Sequence, residues 1–169
     1  MTPRGLLLIV AAVASAGAAQ VPPAAPLPAT LSPADPTSFA AAADVSAQVE
    51  AMGRAMKPDQ GFAWQPLLRD GAQVAASEIW RKPGRPAVHP EEAEYATVIA
   101  GAGTLVSGGT LADATVVRPG LTEGSRIVGG TTRRLAPGDV FLIPAGVPHW
   151  FGITGARLVL LGTKLRSAR

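Results

Sequence analysis

The chain holds only two histidines, His89 and His149. A neutral imidazole can ligate a metal ion or move a proton near neutral pH, so these two positions carry much of the available chemistry. Three carboxylates, Glu91, Glu92 and Glu94, follow His89 closely. Cysteine is absent, which excludes disulfides, thiol catalysis, Cys-ligated zinc and iron–sulfur clusters. No glycine-rich phosphate loop, Ser–His–Asp arrangement or paired catalytic carboxylate stands out, and no catalytic residue is assigned.

Both histidines sit in blocks rich in turn residues. The second block runs Pro137-Gly138-Asp139, then Val140 to Ile143, then Pro144-Ala145-Gly146, then Val147-Pro148-His149. Pro137-Gly138-Asp139 reads as a tight turn into a buried strand. Pro144-x-Gly146 reads as a second turn, which aims His149 inward from the start of the next strand. Trp150 and Phe151 follow, and by strand alternation one points inward and the other outward. The first block places four residues between His89 and Glu94, and six more between Glu94 and Gly101.

The second block resembles the second motif of the cupin superfamily: Pro-Gly, five residues, Pro-x-Gly, two residues, His, three residues, Asn. Only the last position departs, being Ile153. The first block is similar to the cupin first motif, His-x-His, three or four residues, Glu, six residues, Gly. His89, Glu94 and Gly101 fit, while Ala87 stands at the first histidine position. The resemblance runs from about Trp64 to Leu165 and implies a small jelly-roll β-barrel. It also implies a metal site at the barrel mouth, here reduced to His89, Glu94 and His149. Two imidazoles and one carboxylate suffice for a facial triad holding Fe(II), Mn(II), Ni(II) or Zn(II) with open positions. Ala87 and His89 share a strand face, so residue 87 points where the missing ligand would have been. Glu91 is a substitute ligand if the strand runs past Pro90.

The surrounding pattern agrees with an all-β barrel. The 169 residues allow one domain, with 47% hydrophobic residues for a core. Glycine (19) and proline (16) are abundant, which favours turns and short strands over long helices. Strands are expected at 72–80, 94–100, 104–107, 114–118, 125–128, 139–143 and 157–161, with turns at Gly101-Ala102-Gly103, Gly108-Gly109 and Gly129-Gly130 among others. Val45, Val49, Met52 and Met56 recur at helical spacing, predicting an amphipathic helix over 39–56, capped by Thr37 or Ser38 and ended by Pro58 and Gly61. Val140, Leu142, Val159 and Leu161 lie in runs apolar at nearly every position, as in strands buried on both faces. The helix or a second subunit should cover the outer face, and Tyr95 and Phe141 should lie in the core or pocket wall.

The organisation expected is a signal peptide at 1–19, a Pro/Ala-rich tether at 20–37, a helical segment at 38–60 and a barrel at 61–169. Arg4, the apolar run from Gly5 to Val13 and the small residues around Ala16 to Ala19 predict cleavage after Ala18 or Ala19. The mature chain would then be secreted or periplasmic, with no stable membrane anchor. The net charge of +3 is scattered, apart from Lys164, Arg166 and Arg169, so a nucleic-acid partner is not expected. Arg118, Arg126, Arg133 and Arg134 between the motifs read as solvated surface. A homodimer is expected, because cupins commonly pair through their sheets. Two functional readings stand. One is a metal-dependent cupin binding a small molecule, such as an oxygenase or isomerase. The other is a metal-free barrel that holds a small ligand without turnover or serves as structure.

Overall fold

The computed structural model describes residues 35–166. The expected signal peptide and nearly all of the tether lie outside them. The fold is a jelly-roll sheet architecture with one helix. Helix α1 (Ala42–Ala55) precedes β1 (Phe62–Asp70), β2 (Gln73–Trp80), β3 (Ala87–Val88) and β4 (Glu92–Ser107). Then come β5 (Thr110–Ala112), β6 (Thr115–Arg118), β7 (Leu121–Glu123), β8 (Arg126–Val128) and β9 (Thr131–Leu135), before β10 (Val140–Ile143) and β11 (His149–Arg166). The helix starts later than its apolar periodicity predicts. Its N-cap is Ala41, whose amide donates to the Asp44 carboxylate at 2.9 Å, so neither Thr37 nor Ser38 is the cap.

Two long antiparallel strands, β4 and β11, form the spine. The sequence reads β4 as two strands broken at Gly101-Ala102-Gly103, and β11 as Arg157–Leu161 alone. In the fold each is continuous, and the glycines mark a bend instead of a chain reversal. The β4–β11 register shifts between Ile153 and Leu158, opposite this bend. Gly101 has φ +78°, and a Cβ there would collide with the Arg157 carbonyl. A Cβ on Gly103 would collide with the carbonyl of Gly152. Glycine is therefore required where the two backbones press together and the sheet folds over.

The flanking strands attach on either side of the bend. β2 and β1 extend the sheet from the C-terminal half of β11, while β10 and β9 pair with the two halves of β4. β3, β7 and β6 attach at the start of β11, and β5 pairs with β8 as a separate ribbon. The short strands β3, β5, β7 and β9, and also β1, escape the sequence pattern. Several are two- or three-residue bridges between turns, too short for an alternation signal.

Alternation along β11 sorts the core into two layers. Leu158 and Leu160 face the barrel interior with Val98, Leu105, Leu135, Ile143 and Phe151. Val159 faces outward, under α1, with Val49, Met52, Met56 and Ile79. The helix thus covers both-face-buried strands, as their apolar runs require. It is anchored by Gln48, which donates to the Pro66 carbonyl and accepts from the Ser77 hydroxyl. The cover stops short of β10. Val140 and Leu142 are each 57% exposed, and Tyr95 directly opposite Leu142 is 42% exposed. For these three residues the expectation of burial is corrected, because α1 packs on the β1–β2–β11 side only.

Gly101→Ala should lower stability by about 2 kcal/mol or more, from a positive φ combined with a backbone collision. Gly71→Ala, at φ +54° with open space around it, should cost clearly less. Urea denaturation of the two variants checks this, and equal losses would contradict the role given to the bend.

Candidate metal centre

His89, Glu94 and His149 come together at one end of the barrel interior. One ligand atom from each lies within 4.8 Å of the others. The centre is assembled by the turns that the sequence singled out. Gly138, at φ +95°, donates its amide to the Val98 carbonyl, and the Asp139 carboxylate accepts from the Ala136 amide. That fixes the entry of β10 beside β4. At the second turn Val147 donates to the Pro144 carbonyl, closing the loop that leads into His149. Gly146, at φ +78°, donates its amide to the His89 carbonyl at 2.9 Å. One backbone bond therefore ties the loop before His149 to the residue carrying the other imidazole.

Each imidazole is oriented by a backbone carbonyl. His89 Nδ1 lies 3.1 Å from the Gly120 carbonyl, and His149 Nδ1 lies 3.1 Å from the Val147 carbonyl. A carbonyl only accepts, so in the neutral ring Nδ1 carries the proton and Nε2 keeps its lone pair. Both Nε2 atoms point at the same carboxylate oxygen, Glu94 Oε2, at 3.9 Å from His89 and 3.6 Å from His149. Donors around one ion at about 2.0–2.2 Å would stand about 3–3.5 Å apart. The two histidine–carboxylate distances exceed that spacing by a few tenths of an ångström, and all three donors lie within 4.8 Å of one another, a set that could hold a divalent metal once drawn together. Orientation of each ring through its second nitrogen is also what metal-ligating histidines require.

Two charged side chains join the centre that the sequence reading did not assign. Lys164, directly across from Glu94 in the β4–β11 register, donates from Nζ to Glu94 Oε2 at 3.0 Å. Glu78, on β2, faces the interior with Trp80, whose indole N–H donates to Glu78 Oε2 at 3.0 Å. Between these groups Ala76, Gly162 and Ala96 pair across three adjacent strands, a row of minimal side chains on the interior face. The available signal was parity. Glu78 alternates with Ser77 and Ile79, and Lys164 shares the face of Leu158 and Leu160. Reading Lys164 with Arg166 and Arg169 as a terminal basic cluster hid it.

Electrostatics follow from this crowding. Burial opposes ionisation of Glu94, but His149 in its protonated form and Lys164 outweigh it and hold the carboxyl down at about 2. Burial and the Glu94 charge push Glu78 up to about 7, against the opposing pull of Trp80, Lys164 and His149. Burial and the Lys164 charge lower His89 below its ordinary value, so its ring stays neutral and ligating at neutral pH.

Glu91 is exposed and outside the cluster, so it is no substitute ligand. The side chain opposite His149 in the β11–β3 pairing is Ala87, as expected for the vacant ligand position. Phe151 is the inward aromatic and packs in the core. Trp150 turns outward and donates to the Gly84 carbonyl at 2.9 Å. Arg118, Arg126, Arg133 and Arg134 are all exposed.

Residues 84–161 match the cupin family model. That stretch holds both histidine blocks but omits α1, β1 and β2, and so is narrower than the sequence resemblance. That stretch is under half of the chain, and over it the barrel is similar to the cupin family. Among solved structures the chain is similar to an oxalate oxidase, at 20% identity and TM-score 0.46, covering 65% of this chain and 53% of that one. It is also similar to a Thermus thermophilus protein, at 16% identity and TM-score 0.49, covering 70% and 93% respectively. A third is KdgF from Halomonas sp., at 18% identity and TM-score 0.46, covering 66% and 87%. The chain spans about half of the oxalate oxidase. No curated protein matches the sequence.

Glu78 supplies a pH test. Its folded pKa lies above the ordinary 4.5, at about 7. The stability it contributes is therefore fully present below about 4.5 and lost as pH rises through about 7. Metal-free Glu78→Gln should gain on wild type in denaturant melts as pH is raised from about 5 to 8.5, the interval spanning that loss. Parallel stability curves across this range would refute the raised Glu78 pKa that burial and the Glu94 charge impose.

Proposed function

We propose that this protein is an exported cupin that binds a divalent transition ion, Fe, Mn, Ni or Zn, through His89 Nε2, His149 Nε2 and Glu94. The carrying observation is the aim of both Nε2 lone pairs at one ionised carboxylate oxygen. Such an ion would supply Lewis acidity and coordination sites for a small molecule. The chain's own residues do the rest. The Gly120 and Val147 carbonyls hold the two Nδ1–H groups, and the apolar interior from Trp80 to Phe151 excludes water. Glu78, with a pKa at about 7, is a group able to give or take a proton beside the bound molecule. An oxygenase or isomerase suits this arrangement. The second reading is a metal-free binding barrel, and the Lys164 ammonium on Glu94 favours it, because the buried carboxylate already has a counter-ion.

Export rests on the leader-like sequence at 1–19, and a secreted or periplasmic location follows from it. The second proposed partner is another copy of the chain. Val140, Leu142, Tyr95 and Leu165 share one outer face and are all exposed, beyond the reach of α1. A second barrel laid on this face would give them the burial that their sequence pattern calls for.

Metal analysis of protein purified without a His-tag should find a bound transition ion. His149→Ala should weaken its binding by more than about 100-fold, beyond the loss caused by removing a ligand's hydrogen-bond partner. Ala87→His should tighten binding, since residue 87 stands across from His149. Affinity should fall on acidification, with the fall for His89 displaced below about 6.5 because its pKa is lowered. Absence of metal in wild type and Ala87→His alike would leave the metal-free barrel.

Sedimentation at micromolar concentration should show a dimer, and Leu142→Lys should convert it to monomer without loss of fold, as judged by circular dichroism. A wild-type monomer would end the dimer proposal.

A further inference from the structure

The ammonium of Lys164 stands on the very oxygen that both histidines face. Its Nζ is 3.0 Å from Glu94 Oε2, nearer than either imidazole nitrogen at 3.6 and 3.9 Å. Glu94 Oε2 is the carboxylate atom that a divalent ion drawn to the two Nε2 lone pairs would meet as its third ligand. We propose that Lys164 is a built-in competitor for the metal: ion binding expels its ammonium from Glu94, and the lysine sets how tightly the centre loads. The inference rests on the metal reading of His89, Glu94 and His149.

The fold makes the exchange feasible in three ways. Lys164 is opposite Glu94 in the strand register, so its backbone is fixed while its four-carbon stem can swing. Gly162, the next residue on the same face, offers no side chain to block that swing, and its neighbours there are Ala76 and Ala96. A second carboxylate waits on this face in Glu78, whose ionisation the Lys164 charge already favours. Without metal, the ammonium offsets the buried charge of Glu94 and keeps two lone pairs and an anion from facing one another uncompensated. With metal, the ion performs that task and the ammonium is redundant at Glu94.

The test compares Mn(II) and Zn(II) binding by calorimetry in wild type, Lys164→Met, Lys164→Gln and Lys164→Arg, on the full mature chain. Breaking one charge-assisted hydrogen bond as a condition of loading should cost about tenfold or more in affinity. Lys164→Met should therefore bind at least about tenfold tighter than wild type, while Lys164→Arg, which keeps a cation, should stay within a few-fold of it. If Lys164→Met fails to fold around an unpaired Glu94, Lys164→Gln keeps a donor for the carboxylate and loses only the charge. Binding by the uncharged variants alone would support the proposal in its strongest form. Wild type that binds metal while both uncharged variants bind equally or more weakly would overturn it and leave the metal reading intact. No binding in any of the four would overturn both, with Lys164 then the permanent counter-ion of Glu94.

Discussion

A carboxylate that is nearly inaccessible to water must have a cation, and Glu94 organises one end of the barrel around that requirement. Transfer of an unpaired carboxylate into a protein interior costs several kcal/mol, so such groups are paired or neutralised. Glu94 is 7% exposed yet stays ionised. Lys164 pairs with it across the strands, and the two histidines, each tied by Nδ1 to a carbonyl, turn their remaining nitrogens toward it. Glu78 records the same constraint from the other side. Its own burial and then the nearby Glu94 charge oppose a second ionisation, and so it holds its proton to about 7.

The spine determines where these charges meet. β4 carries Glu94 near its start, and β11 carries His149 at its start and Lys164 near its end. Only a bend brings both ends of β11 against the same region, and the bend depends on backbones approaching at Gly101 and Gly103 more closely than any side chain permits. The helix stabilises the outer face of the same strands without entering the centre, since its contacts are Ile79 and Val159 on the opposite side from Leu158 and Leu160. The side chains of the candidate centre and the structural cover are thus placed on opposite faces of one strand by alternation alone.

Much of this was legible in the sequence because its signals are local. The turns at Pro137-Gly138-Asp139 and Pro144-x-Gly146 fix the approach to His149 within a dozen residues, and the His89–Glu94 spacing fits one strand start. The helix showed because Val49, Met52 and Met56 repeat at its period. What escaped depends on distant pairing. Gly101 and Gly103 have the composition of a turn, and only the opposing strand makes them a bend. Lys164 owes its importance to a residue 70 positions away, so no window around it reveals the pairing. Val140 and Leu142 look buried by composition, and their exposure follows from where the helix happens to stop.

The bond from the Gly146 amide to the His89 carbonyl links strands that are far apart in the chain, and its effect extends to the order of events during folding. Contacts of such sequence separation form late, after local turns and the α1 segment, because loop closure must precede them. Until β11 has docked along β4, neither imidazole faces the carboxylate and no pocket of ligands exists. An ion would therefore meet a finished site or none, and it would act as a lock on the closed barrel instead of a template around which the chain collapses.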